Sequence, residues 1–122
     1  MTQRIGSLSV QMKRTDKALS DFVRAKTPYC VTCGSVESLT AGHVFGRSFK
    51  STRFSLDNVF TQCAECNGDH ERDRSRFDNW YKRNFGEAAF DALETHSKTI
   101  RKWTVEELVQ LEEDFKCMKE AL

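Results

Sequence analysis

Five cysteines stand in this chain, and four of them form two C-x-x-C pairs, C30-V-T-C33 and C63-A-E-C66, with 29 residues between the pairs. A pair at that spacing turns tightly enough for two thiolates to reach one ion. Two pairs complete a tetrahedral shell of four sulfurs, the chemistry of structural zinc. Unrelated buried thiols or a redox pair would account for one pair more readily than for two. A closed shell of four cysteines leaves no coordination position for a substrate, so Zn2+ is expected to hold the fold rather than react. Cys117 lies outside the pattern, near Phe115 and Met118, and reads as an ordinary part-buried cysteine.

Residues of another kind stand between and just beyond the pairs. A41-G-H43, the basic stretch from Arg47 through Lys50 to Arg53, and D57-N58 lie between the knuckles, and N67-G-D-H70 follows the last cysteine directly. Hydrolysis of a phosphodiester needs a base to activate water, a metal to stabilise charge on the phosphorane, and cations to hold the backbone. His43, Asn58, Asn67, His70 and the cations offer candidates for each role. Singly none is specific, because a lone histidine is commonly solvated and an asparagine beside glycine is commonly a turn. Their order inside a loop with both ends fixed is what makes them a candidate site.

The elements that must position this loop read as helix, small hairpin, then helices. The stretch TDKALSDFVRAKTP predicts a basic helix capped by Thr15, with Leu19, Phe22 and Val23 on one face and a stop before Pro28. Residues 29–66 are rich in β-branched and aromatic types and interrupted by glycines, which suits loops and a small hairpin. From about Arg74 the helical period returns with Phe77, Trp80 and Tyr81, then stops at Gly86; a short helix through Ala89, Phe90 and Leu93 follows. The last helix has a capping box, Thr104 to Glu107, with Trp103 and Leu108 placed for a hydrophobic staple. Its seam of Leu108, Leu111, Phe115, Met118 and Leu122 can pack on the chain's own first helix, the preferred reading, or on a second copy.

Net charge is +1, but it is unevenly spread. Residues 1–28 carry six Lys and Arg against two acids, whereas residues 86–122 carry five against nine. A basic front suits an anionic ligand. No run approaches the length of apolar residues that spans a bilayer, so no membrane partner is expected. The opening MTQRIGSLSV lacks a secretory pattern, which makes a reducing cytoplasm the expected location.

The order C-x-x-C, A-G-H, R-F-x-x-x-N-V, Q-C-x-x-C-N resembles the zinc-knuckle branch of the HNH endonucleases, and more specifically the phage recombination proteins called NinG or Rap. The resemblance covers roughly residues 19 to 93. It implies an α+β fold in a single domain over 1–122. A zinc-stabilised ββα-metal, treble-clef-like core over 29–85 would sit between the basic helix over 15–28 and helices over 86–122. It further implies that His43 is the general base, that Asn58 holds the loop and orients His43, and that Asn67 occupies the third motif position, a ligand of a catalytic Mg2+ or Mn2+. Many HNH enzymes carry a ligand immediately before the base, where this chain has Gly42; Asp69, His70 or Asp73 would have to compensate.

The activity so implied is metal-dependent DNA endonucleolysis, on branched recombination or replication intermediates of the Holliday-junction or D-loop type. Arg47, Lys50 and Arg53, with Arg72, Arg74 and Arg76 at the next helix, are the expected DNA contacts, reading backbone rather than bases. Phe45, Phe49 and Phe54 alternate with these cations and are either wedges against unpaired bases or hairpin core. Symmetric cutting of a junction would call for a homodimer, with the C-terminal helix as its only evident surface. Two other readings share these residues: a non-catalytic zinc-knuckle DNA-binding or adaptor protein, and a general HNH nicking nuclease of a phage or mobile element.

Overall fold

The computed structural model describes residues 7–122. Five helices and a two-stranded sheet make an α+β fold in the order α1 (Leu8–Lys26), β1 (Leu39–His43), β2 (Val59–Cys63), α2 (Ala64–Arg72), α3 (Ser75–Phe85), α4 (Glu87–Ser97) and α5 (Val105–Glu120). Among the described residues no helix is long and apolar enough to cross a membrane.

The helix expected to begin at Thr15 begins at Leu8. Ser7 is its cap, accepting a hydrogen bond on its side-chain oxygen from Val10 N at 3.3 Å. Thr15 is suited to capping by type, but here it is fully buried in mid-helix and its hydroxyl donates to Leu108 O of α5 at 2.9 Å. The helix ends as expected ahead of Pro28, whose ring disfavours helical geometry in the preceding residue.

The capping box at Thr104 and Glu107 is formed in both directions and starts α5. Of the two partners open to its seam, α1 is the one it meets. Leu108 and Phe115 are buried against Met12, Leu19 and Phe22, with Leu111 and Met118 partly buried beside them. A buried polar contact fixes their register: Glu112 accepts from Gln11 Nε2 at 2.8 Å and from Lys116 Nζ at 2.8 Å. From Leu108 to Met118 the seam is thus occupied within the chain, while Leu122 is exposed, and a dimer through the seam would have to open the α1–α5 pair. Cys117, expected to be part-buried, lies on the outer face and is exposed.

The hairpin pairs antiparallel from Leu39 opposite Cys63 to His43 opposite Val59. Because strand side chains alternate, the hairpin separates two cores. Ala41 and Val59 join the α1–α5 core, while Phe60 packs against Phe77, Trp80 and Tyr81 of α3. Phe45 and Phe54 are buried in these cores, and Phe49 is 37% exposed. The charged stretch after Cys66 is the helix α2. It lacks an apolar stripe, since Cys66 is its only buried residue, and it starts on a cysteine cap: Cys63 Sγ accepts from Cys66 N at 3.4 Å.

Candidate functional site

The four thiols come together where the hairpin meets α2. Each of Cys30, Cys33, Cys63 and Cys66 places its Sγ within 4.8 Å of the others. Cys33 and Cys63 are 3.7 Å apart, close to the sulfur spacing of about 3.8 Å that a tetrahedron with 2.3 Å zinc–sulfur bonds requires. The first knuckle closes by Gly34 N donating to Cys30 O at 2.8 Å, and Gly34 adopts φ +82°, where a side chain would be strained. The four thiols sit in unlike surroundings. Burial pushes Cys66 up to about 12, and the neighbouring thiols add to it. Burial also opposes ionisation of Cys30, yet hydrogen bonds from Thr32 Oγ1 and nearby N–H groups bring it down to about 6. Four crowded thiols ionise together only when a metal balances their charge, and this donor set suits zinc.

Next to the knuckles lies an open cleft of about 610 Å3 between α1, the end of β1 and α2. The strand end delivers His43, half-buried, with Nε2 donating to Arg53 O at 3.0 Å. A carbonyl only accepts, so this contact keeps the proton on Nε2 and leaves the lone pair of the neutral ring on Nδ1. Burial holds His43 below its usual 6.5; the Arg53 carbonyl and Asp16 pull it back up, and the Arg47 and Arg53 guanidiniums press it down. Arg53 is itself fixed from α1, donating through Nε at 3.2 Å and Nη2 at 2.6 Å to Asp16. His43 is therefore held through a chain of contacts that begins on a different helix.

Asn58 is fully buried and clamps the excursion between the strands. Its Oδ1 accepts from Phe45 N at 2.8 Å, and its Nδ2 donates to Phe45 O at 2.9 Å and Thr52 O at 3.1 Å. It touches the loop that carries Arg53 and makes no hydrogen bond to the His43 ring. Asn67 donates through Nδ2 to Thr40 Oγ1 at 3.1 Å, leaving its Oδ1 unengaged among the described residues.

The comparison with known families decides what the chain is related to. The family model described as Bacteriophage Lambda NinG protein matches residues 2–122. The chain belongs to the NinG family. Neither the curated proteins nor the solved structures compared with it gave a match.

In this NinG-family chain, helical spacing sorts the remaining candidates. Asn67, His70 and Glu71 share the face of α2 that lines the cleft. Asp69 faces away, paired with Arg72, and lines a separate small cavity beside Thr32 and Gln62. Asp73 accepts from Ser75 N at 2.9 Å at the start of α3. His70 reaches the cleft wall, its Nε2 donates to Val44 O at 2.9 Å, and its Nδ1 is buried without a partner among the described residues. As placed, His70 ties α2 to the end of β1 through Nε2. Among the described residues, the four cysteines are the one group of three or more His, Cys, Asp or Glu side chains that converges within ligand distance.

The six expected DNA contacts are scattered in the NinG-family fold. Arg47 and Arg74 line the cleft, joined by Lys13 and Lys17 of α1. Arg53 is 16% exposed and engaged by Asp16, so it cannot meet a phosphate without releasing that carboxylate. Arg76 leans on Thr32 O at 3.4 Å, Arg72 on Asp69, and Lys50 borders a second groove. Four cleft residues, Lys13, Asp16, Lys17 and Glu71, were not singled out from the sequence. The basic bias of the first 28 residues pointed toward the lysines; nothing in the pattern marked the two acids.

Proposed function

We propose that this NinG-family chain is a metal-dependent DNA endonuclease of the HNH type acting on branched DNA, with His43 as its general base. One observation carries the reading: a half-buried histidine whose Nε2 is fixed on a backbone carbonyl, at the edge of a cleft with four cations. The lone pair of Nδ1 takes the proton from the attacking water. Asp16 positions Arg53, Arg53 O orients His43, and Asn58 keeps the loop carrying that carbonyl in place. Lys13, Lys17, Arg47 and Arg74 hold the phosphodiester by charge and carry no base code, consistent with a ligand read by its shape. Asn67 Oδ1 and the Glu71 carboxylate are the oxygen donors that would hold Mg2+ or Mn2+, with waters and substrate oxygens completing the shell. Such an ion supplies stabilisation of the charge that develops on the phosphorane and the leaving oxygen.

A second reading, a zinc-knuckle DNA-binding module without catalysis, is favoured by one feature. Position 42, immediately before His43, is a glycine and supplies no ligand, and a Cβ there would lie 2.2 Å from Gln62 Oε1, so the Gln62 side chain would have to shift to admit one.

The test is cleavage of labelled four-way junctions, flaps and linear duplex by zinc-loaded protein, with and without Mg2+ or Mn2+, beside His43→Ala. Metal-dependent cutting that falls by roughly 10²–10⁴-fold in the variant, with DNA binding retained, is expected for loss of a general base. Because His43 sits below 6.5, the base form persists into mildly acidic solution, and the acid limb of the pH–rate profile should have its midpoint below 6.5. Equal junction binding by both proteins, with no cutting under any metal, would establish the binding module instead.

A further inference from the structure

The loop between α4 and α5 plays no part in the cleft, yet it carries Ile100, which at 91% exposed stands out more than any other large hydrophobic among the described residues. A lone exposed apolar side chain is ordinary on a protein surface. Three features set this one apart.

The loop is pinned. Ser51 Oγ lies within 3.3 Å of three carbonyls at the end of α4 and in the loop, nearest His96 O at 2.7 Å. Thr99 Oγ1 also donates to His96 O at 2.7 Å, and Trp103 Nε1 donates to Lys50 O at 2.9 Å. Ile100 therefore projects from a fixed base.

Its surroundings are cationic. A groove of about 390 Å3 runs between this loop and residues 48–50, bordered by Phe49, Lys50, Lys98 and Arg101, with Lys102 next in the chain. Two acids answer these cations: Glu94 lies 3.7 Å from Lys98, and Glu107 binds Arg101 at 2.8 Å. Lys50 and Lys102 enter no ion pair among the described residues. Finally, one stretch of chain borders both the cleft and the groove. Gly46 and Arg47 line the cleft, and Ser48, Phe49 and Lys50, the next residues, line the groove.

We propose that this groove is a second DNA-contact surface, on which Ile100 wedges against an opened base step at a branch point while Lys50, Lys98 and Lys102 meet the flanking phosphates. The inference rests on the DNA reading of the cleft and names how a branch would be told from a linear duplex. Apolar side chains inserted between base steps must unstack them, and the cost is least where pairing is already interrupted. A rigid apolar tip flanked by cations thus favours a junction over a continuous helix without reading any base.

The test compares zinc-loaded wild type, Ile100→Ser and the double variant Lys98→Glu/Lys102→Glu on a four-way junction and a linear duplex of matching arms, with 2-aminopurine at the branch point. These positions are exposed, so folding should survive, and a circular dichroism spectrum matching wild type checks it. Wild type is expected to brighten 2-aminopurine in the junction. Ile100→Ser should lose that signal and bind the junction about tenfold more weakly, toward the linear level. The double variant should weaken binding to both DNAs and flatten the salt dependence by about two phosphate contacts. Junction binding and 2-aminopurine brightening by Ile100→Ser equal to wild type would overturn the wedge, while cutting lost only in His43→Ala would leave the cleft reading standing. A wild type that binds neither DNA would overturn both.

Discussion

The two sides of the hairpin are held by different forces. On one side α1 and α5 bury a continuous apolar seam from Met12 and Leu19 to Leu108 and Phe115, with Glu112 fixing the register. On the other, α3 and α4 bury a smaller aromatic core against Phe60, while α2 buries a single residue, Cys66, and rests on the knuckles and on hydrogen bonds from Asn67 and His70 to the neighbouring strand region. The cleft lies across that divide, taking Asp16 from the self-supporting side and Asn67 and Glu71 from the metal-dependent one. Helices with a wide apolar face need no further support. A nine-residue polar helix needs an anchor, and a zinc cluster supplies it without enlarging the core.

The sharpest way to break this contrast is to remove the metal. The chain has two tryptophans, and each reports one side: Trp80 packs on Phe60 and Phe77, and Trp103 packs on Phe54 in the α1–α5 core. A structural zinc site is worth on the order of 10–16 kcal/mol of folding energy in small metallo-domains. Chelation should therefore red-shift the Trp80 emission measured in Trp103→Phe, while the partly buried Trp103 in Trp80→Phe keeps its zinc-loaded spectrum. Simultaneous shifts would show one cooperative unit in place of two differently held sides.

A smaller effect is expected from the opposite direction. Leu108 is fully buried between α1 and α5. Leu108→Ala should cost about 2–5 kcal/mol by lost burial and cavity formation, read from the urea midpoint followed at Trp103. Zinc affinity, measured by competition with a chromophoric chelator, should stay at the wild-type value if the sides are independent.

The smallest expected change sharpens the comparison within the helical side. Thr104→Ala removes the oxygen that accepts from Glu107 N at 3.1 Å and should cost about 1 kcal/mol. Glu107 is held at about 2, first by Arg101 and then by Thr104 N–H. Its folded value is depressed, so its contribution is complete above 4.5 and is lost as pH falls toward 2. That acid-side loss should persist in Thr104→Ala, because Arg101 and the backbone N–H remain; thermal melts from about pH 7 down to about pH 2 would read both effects.

The same divide marks what could be read from the chain. The knuckles and α5 were legible because their signals are local: C-x-x-C spacing, a four-residue capping box, a seam repeating every three or four residues. The start of α1 was not, because Thr15 is a capping type whose hydroxyl is engaged by Leu108 O, a contact made only after α5 has folded back. Helix α2 carries no apolar period, since thiols hold it where a core would otherwise have to, and periodicity is blind to that. In the cleft, His43 and Asn67 were marked by their order between and after the cysteine pairs, and both line it. Asp16 was not, because its part in the site depends on Arg53, a long-range partner. His70 was singled out by its type alone, and no local pattern pointed to the hydrogen bond its Nε2 makes to Val44 O.

Gly42 has one more consequence. Gln62 is 1% exposed, and its oxygen occupies the space that any side chain at 42 would enter. A side chain at 42 would therefore have to move the Gln62 side chain, so a change at one position is felt at the other. A donor acquired beside His43 would displace the end of Gln62 or arrive together with a shorter residue at 62, which makes this pair the place to look for coupled substitutions.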